Sequence, residues 1–245
     1  MSLDMSGPLE HFKVIIYHDL HLGPLDVSIS NTALFMWLAV ILIIVALHLM
    51  LLRPKIVPGV GQLLVEMLYG FVARQTRLNI HGEGEKYVPL MFTLFTFILS
   101  CNLVGLIPGA FTPTSQLAVT GTLAVGIFLF AVGLRFYRHG WGFFHAFAPQ
   151  GVPKIMLPLM VPIELLSFLA RPVTLALRLF ANMTAGHMAL GVLAVLGLAA
   201  PWFLQWLPLG FTVVQIALEM IIAFIQAYIF VVLSCVYIDD ALVDH

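Results

Sequence analysis

The 245-residue chain is 61% hydrophobic and only 9% charged, with a mean hydropathy of +1.05. A soluble domain carries about 25% charged residues, so these few charges cannot cover a water-facing surface and the chain reads as an integral membrane protein. A formal net charge of −1 excludes a polybasic nucleic-acid binder, and no nucleic-acid partner is expected.

Residues 1–32 read as an external segment with partial helix, because Asp4, Glu10, Asp19 and Asp26 interrupt any apolar core of a cleavable signal. His18-Asp19-Leu20-His21 carries ligand-type side chains, but such loose spacing is common in loops, so no metal is assigned. Residues 33–245 form a single membrane domain. Residues 33–52 are a run of about 20 mostly apolar residues, enough to cross the ~30 Å hydrocarbon core, and Arg53-Pro54-Lys55 stops it. Over residues 57–80, Gln62, Glu66, Gly70, Arg74 and Arg77 recur at spacings of four, four, four and three. That polar stripe predicts an interfacial amphipathic helix, or one packed on other helices, rather than a span.

Residues 88–107 predict the second span, closed by Pro108-Gly109, and residues 117–134 the third, closed by Arg135-Phe136-Tyr137-Arg138-His139. On this count Arg53, Lys55, Arg74, Arg77, Lys86, Arg135, Arg138 and Lys154 share one side, against Lys13 on the other. The positive-inside rule then puts the N-terminus outside and the C-terminus in the cytoplasm. Residues 155–200 are too long for one perpendicular span, which leaves two spans turning near Arg171-Pro172 or one long tilted helix. Residues 207–238 are also overlong, and carry Glu219, Gln226 and Ser234. The fold class is therefore an all-α integral membrane protein with about five membrane-spanning helices and one interfacial amphipathic helix. Cys101 and Cys235 lie in apolar segments and read as two free buried thiols.

Polar groups at bilayer depth mark an ion path or a binding site, since a charge there costs about 2.5–3.5 kcal/mol on insertion scales. At about 100° per residue, Glu164, Arg171, Arg178 and Asn182 share one helix face, whereas His187 is turned by about 180° from Arg178. Two faces at different depths suit two separate aqueous paths better than one ligand pocket. Glu219 and Gln226, seven apart, share a face of the last helix and could line a path with His187. Asn182, Thr174, Ser167 and Gln226 have the plainer alternative of interhelical hydrogen bonds, worth about 0.6 kcal/mol each.

The run Arg178-Leu179-Phe180-Ala181-Asn182-Met183-Thr184-Ala185-Gly186-His187 resembles the signature of subunit a of F-type ATP synthases. The resemblance extends to the stretch from Arg53 to Gly61, Asn102-Leu103-Val104-Gly105-Leu106-Ile107-Pro108, Glu164-Leu165-Leu166-Ser167, and Gln226-Ala227-Tyr228-Ile229-Phe230 followed by Tyr237. It implies a stator that feeds protons to a rotating ring of hairpin subunits, the c-ring, whose membrane carboxylate is not on this chain. It implies Arg178 as the essential arginine. Asn182, His187, Glu219 and Gln226 match the half-channel open to the outside, and Glu164, Ser167 and Thr174 the cytoplasmic exit. His187 and Glu219 stand in exchanged order relative to many bacterial relatives. The resemblance favours one long, steeply tilted helix over residues 155–200, paired with an equally tilted last helix. Peripheral-stalk b-type subunits, the other synthase subunits and the lipid bilayer are the implied partners, in a bacterial inner membrane. Nucleotide chemistry is expected on other subunits, and no cofactor is expected. Two rivals fit less well: a secondary transporter lacks its internal repeat, and a haem subunit lacks paired histidines, since only His48 and His187 lie in predicted spans.

Overall fold

A computed structural model describes residues 16–18, 21–22, 25–26, 29–52, 54–107, 112–140 and 157–242, and for residues 16–30, His139, Leu157, Pro158, Glu164 and Leu165 it describes the backbone alone. Six α-helices follow in order: α1 Asn31–Leu51, α2 Val60–Asn79, α3 Gly84–Gly105, α4 Leu117–His139, α5 Leu157–Ala199 and α6 Trp206–Leu242. A 3₁₀ turn, Pro113–Ser115, lies between α3 and α4. Ahead of α1, β1 (Ile16–His18) pairs antiparallel with β4 (Ile29–Ser30), and β2 (His21–Leu22) with β3 (Leu25–Asp26). The partial helix expected there is corrected to these short ladders. β-branched Ile16 and Ile29 suit extended backbone, and no helical apolar stripe opposes it. The side chains of His18 and His21, together with Asp19, Arg53, Pro108-Gly109 and Lys154, lie outside the described residues.

Five helices, α1 and α3 to α6, are long and apolar enough to cross a membrane. α2 is the exception. Its Val65, Val72, Ala73 and Thr76 are buried, and it packs on α3 and α6, while its polar stripe stays outside. α1 buries almost nothing and exposes Trp37, Leu38, Ile41, Leu42, Ile44, Val45 and Leu49. An apolar face of that size is intolerable in water but ordinary against lipid.

α5 is one helix, running through Pro162 and Pro172 without a break. Neighbouring helices re-satisfy the backbone groups that proline frees in a membrane helix. At 1.5 Å per residue its 43 residues extend about 64 Å, twice the ~30 Å core, so the helix cannot stand perpendicular. α6, with 37 residues, has the same constraint. Trp202, Phe203 and Trp206 stand exposed in and beside the α5–α6 connection, as aromatic residues do at a membrane–water boundary.

The core is shared by α2 to α6. Phe95 and Ile98 of α3, Ala124 and Ile127 of α4, Leu175 and Leu179 of α5, and Phe230 and Ile238 of α6 belong to one cluster. Within lipid such contacts hold helices by close packing rather than by expelling water. Cys101 and Cys235 are both free and buried, Cys235 within this cluster.

Candidate functional site

The two ends of the bundle differ in chemistry. At one end, ion pairs tie the helix termini together. Glu83 accepts hydrogen bonds from Arg138 and Lys86, Arg77 pairs with Glu85 at 3.0 Å, and His81 meets Asp239 at 3.1 Å. The Arg138 guanidinium first, then the Lys86 ammonium, hold the Glu83 carboxyl below its ordinary value. Arg171 belongs to this end: its Nη1 donates to Asp240 Oδ2 at 2.6 Å. Sequence position alone put Arg171 in the apolar interior. The structure instead gives it a carboxylate partner from the end of α6, because the 43-residue α5 runs far enough to reach that charged layer.

Between the ends, α5 and α6 form a polar seam. Asn182 Nδ2 donates to Gln226 Oε1 at 3.0 Å, and Gln226 is almost fully buried. Farther from the ionic end lies Glu219, 3% exposed, with neither carboxylate oxygen hydrogen-bonded among the described residues. Its carboxyl group packs directly on Gly186, where a Cβ would lie 2.9 Å from Glu219 Cδ. A side chain at this position would force the carboxylate to shift. Thr184 Oγ1 and Gln226 Nε2 are also buried without a partner among the described residues. All four of these buried, unpartnered polar atoms fall on α5 or α6. Burying such groups dry costs about 2–7 kcal/mol each, so a concentration of them on one seam marks a wet or exchanging surface.

His187 is next to Gly186 but turned away from Arg178. Its Nε2 lies 2.7 Å from Thr112 Oγ1. Thr112 is held by the close approach of Gly105, where a Cβ would come 2.8 Å from Thr112 Cβ. Two residues on, Thr114 Oγ1 donates to Asn102 Oδ1 at 2.7 Å, and Asn102 Nδ2 reaches the Ala223 carbonyl at 3.5 Å. The α3–α4 turn therefore grips both α5, at His187, and α6, one helical turn from Glu219.

Arg178 is exposed on α5, and among the described residues no hydrogen bond or ion pair reaches its guanidinium. Ser167 and Thr174 are exposed on the same helix, and Thr174 Oγ1 donates only to the Arg171 carbonyl at 2.9 Å. The structure does not bring these two to the Glu219 seam. The Glu164 side chain lies outside the described residues.

A protein-family model described as ATP synthase A chain matches residues 33–239. The chain belongs to that family. It is 48% identical over 242 residues to ATP synthase subunit a of Magnetococcus marinus, covering 97% of this chain and 93% of the relative. It is 39% identical over 241 residues to ATP synthase subunit a of Ehrlichia ruminantium, covering 98% and 99%. In this ATP synthase A chain family member, sequence reasoning picked out Asn182, Gln226, Glu219 and His187, which all line or adjoin one seam. It passed over Thr112, Thr114, Gly186 and the Arg171–Asp240 pair. Thr112-Pro113-Thr114-Ser115 reads as an uncharged turn, and nothing local ties it to a histidine 75 positions away.

Proposed function

We propose that this chain is the proton-translocating stator of the Fo sector of an F-type ATP synthase. It would offer two offset aqueous half-channels to a rotating ring of carboxylate-bearing hairpin subunits. Family membership and two relatives named subunit a support the reading. The observation that carries it is Arg178: an exposed guanidinium on an apolar membrane helix, unpaired among the described residues. Such a charge is costly in lipid and calls for an anionic partner from another chain.

A ring carboxylate facing lipid is neutral, because desolvation disfavours its charged form, and beside Arg178⁺ it is favoured as an anion. It therefore releases its proton to one half-channel before passing Arg178 and reloads from the other afterwards. Glu219, His187, Asn182 and Gln226 line the path open to the outside in this reading. Glu164, Ser167 and Thr174 lie toward the cytoplasmic one. Arg178 also keeps protons from passing directly between the two paths. Each proton delivers about 2.3 kcal/mol per 100 mV, and the offset turns that into rotation. Nucleotide chemistry belongs to other subunits, and peripheral-stalk b-type subunits hold the stator against the turning ring. The N-terminus faces the outside of a bacterial inner membrane and the ionic end faces the cytoplasm.

In reconstituted vesicles bearing the whole complex, Arg178→Ala is expected to abolish ATP synthesis. Arg178→Lys is expected to fail as well, since an ammonium lacks the planar multi-donor fork. Near wild-type synthesis by Arg178→Ala vesicles would overturn the reading.

A further inference from the structure

Connecting segments ordinarily run over a protein's surface, yet Thr112, Thr114 and Ser115 of the α3–α4 turn are all buried. The turn packs against α1, α3, α4 and α5. Burying three hydroxyls is costly unless each is hydrogen-bonded, and each one is. Ser115 Oγ donates to the Thr112 carbonyl at 2.7 Å, which also accepts from the Ser115 amide at 3.1 Å. Thr114 Oγ1 donates to Asn102 Oδ1 of α3 at 2.7 Å. These bonds hold the turn itself. The Thr112 hydroxyl is used differently, for it reaches across to α5 and lies 2.7 Å from His187 Nε2. A side chain at Gly105 would overlap it.

We propose that Thr112 is the positioning residue for His187, holding the imidazole in place through both of its protonation states. The inference rests on the stator reading above, in which His187 lines a proton path. A neutral imidazole presents Nε2 as donor or acceptor according to tautomer, and the protonated ring presents donors only. A carbonyl beside Nε2 could bond only the N–H form, and an amide N–H only the bare nitrogen. A hydroxyl rotates to suit: it donates to bare Nε2 and accepts from Nε2–H. Thr112 therefore keeps its contact while the charge on the ring changes. Proton transfer needs its partners within about 2.6–3.2 Å, so a ring free to swing would hand protons on less often. His187 follows Gly186, on which the Glu219 carboxyl packs, so the held ring stays at a fixed place beside that carboxyl.

Valine keeps the volume of Thr112 without its hydroxyl, and serine keeps the hydroxyl without the full volume. The pair thus separates positioning from filling of space. The whole complex is used in membrane vesicles, with assembly checked by the amount of membrane-bound ATPase. Diethyl pyrocarbonate attacks bare imidazole nitrogen, and mass spectrometry follows its reaction with His187 residue by residue. Thr112→Val is expected to raise that rate about fivefold, and to lower passive proton flow in stripped vesicles by a similar factor. Thr112→Ser is expected to stay within about twofold of wild type in both. Wild-type reactivity of His187 in Thr112→Val would overturn the positioning role. So would a Thr112→Ser variant as reactive as Thr112→Val, or an unchanged proton flow despite the faster reaction. A His187→Gln control separates the two levels. Wild-type flow in that control removes His187 from the path and sinks this part of the stator reading, whereas lowered flow there with unaltered reactivity in Thr112→Val sinks only the positioning.

Discussion

A methyl group at Gly186 would enter the space that the Glu219 carboxylate occupies. Overpacking of that kind costs about 1–3 kcal/mol. Falling on the proton-transfer step, the upper half of that range lowers the rate by about tenfold or more. Gly186→Ala is therefore expected to cut passive proton flow through vesicles stripped of the water-soluble sector by about that factor, while the subunit still assembles. Unchanged flow would mean that the carboxylate can move aside without consequence. Thr112 offers a finer probe, because its hydroxyl rather than its bulk meets His187. A hydrogen bond of this sort is worth about 1 kcal/mol, or about fivefold in rate. Thr112→Val is expected to lose that much proton flow and Thr112→Ser to keep most of it. Equal loss in both would assign Thr112 to packing alone.

The helices divide the labour. α5 buries Leu175, Ala176, Leu179 and Met183 within about two turns, directly beside Arg178, while much of its remaining length is exposed. That short anchored stretch is what holds Arg178 at a fixed place against α6. Leu179→Ala is expected to cost about 2–5 kcal/mol through the cavity it leaves, seen as a lower melting temperature of the purified complex. A melting temperature equal to wild type would show that the seam is held elsewhere. The charged termini of α3 and α4 act differently. Because Arg138 and Lys86 lower the Glu83 pKa from 4.5, the pair stabilises the folded state above about that pH and is lost as pH falls through the lowered value. The melting difference between wild type and Glu83→Gln should be present at pH 7 and disappear under strongly acidic conditions. A constant difference across that range would exclude the charge pair as its source.

For the whole molecule, the proposed topology puts the ionic end inside and the Trp202–Trp206 connection outside. Tyr137 is 87% exposed and Trp202 85% exposed, and the native thiols are buried, so single added cysteines report cleanly. Tyr137→Cys should react with an impermeant maleimide in inverted vesicles, and Trp202→Cys in right-side-out ones. The opposite pattern would reverse the topology and exchange the two proposed half-channels. The same architecture explains the separation of tasks along the α5–α6 pair. Ion pairing closes one end, unpartnered polar atoms line the middle, and the α3–α4 turn grips His187 beyond it.

How much of this was legible in advance depended on the kind of constraint involved. That the long apolar runs cross the membrane as helices followed from run length, because lipid forces every backbone polar group into an uninterrupted helix about 20 residues long or more. The opposed directions of Arg178 and His187 followed from helical pitch. Both properties are local, and a linear chain displays them directly. What folding alone decided was non-local. Pro172 is compatible with a turn or with a continuous helix, and packing against α4 and α6 selects the helix. Asn182 meets Gln226 across 44 positions, Arg171 meets Asp240 across 69, and His187 meets Thr112 across 75. No periodicity encodes those meetings, since they arise where separate helices cross and where a turn happens to be held by a glycine. The sequence by itself determined which groups stand in the membrane; the tertiary structure decided which of them are paired, and so which charge is left open.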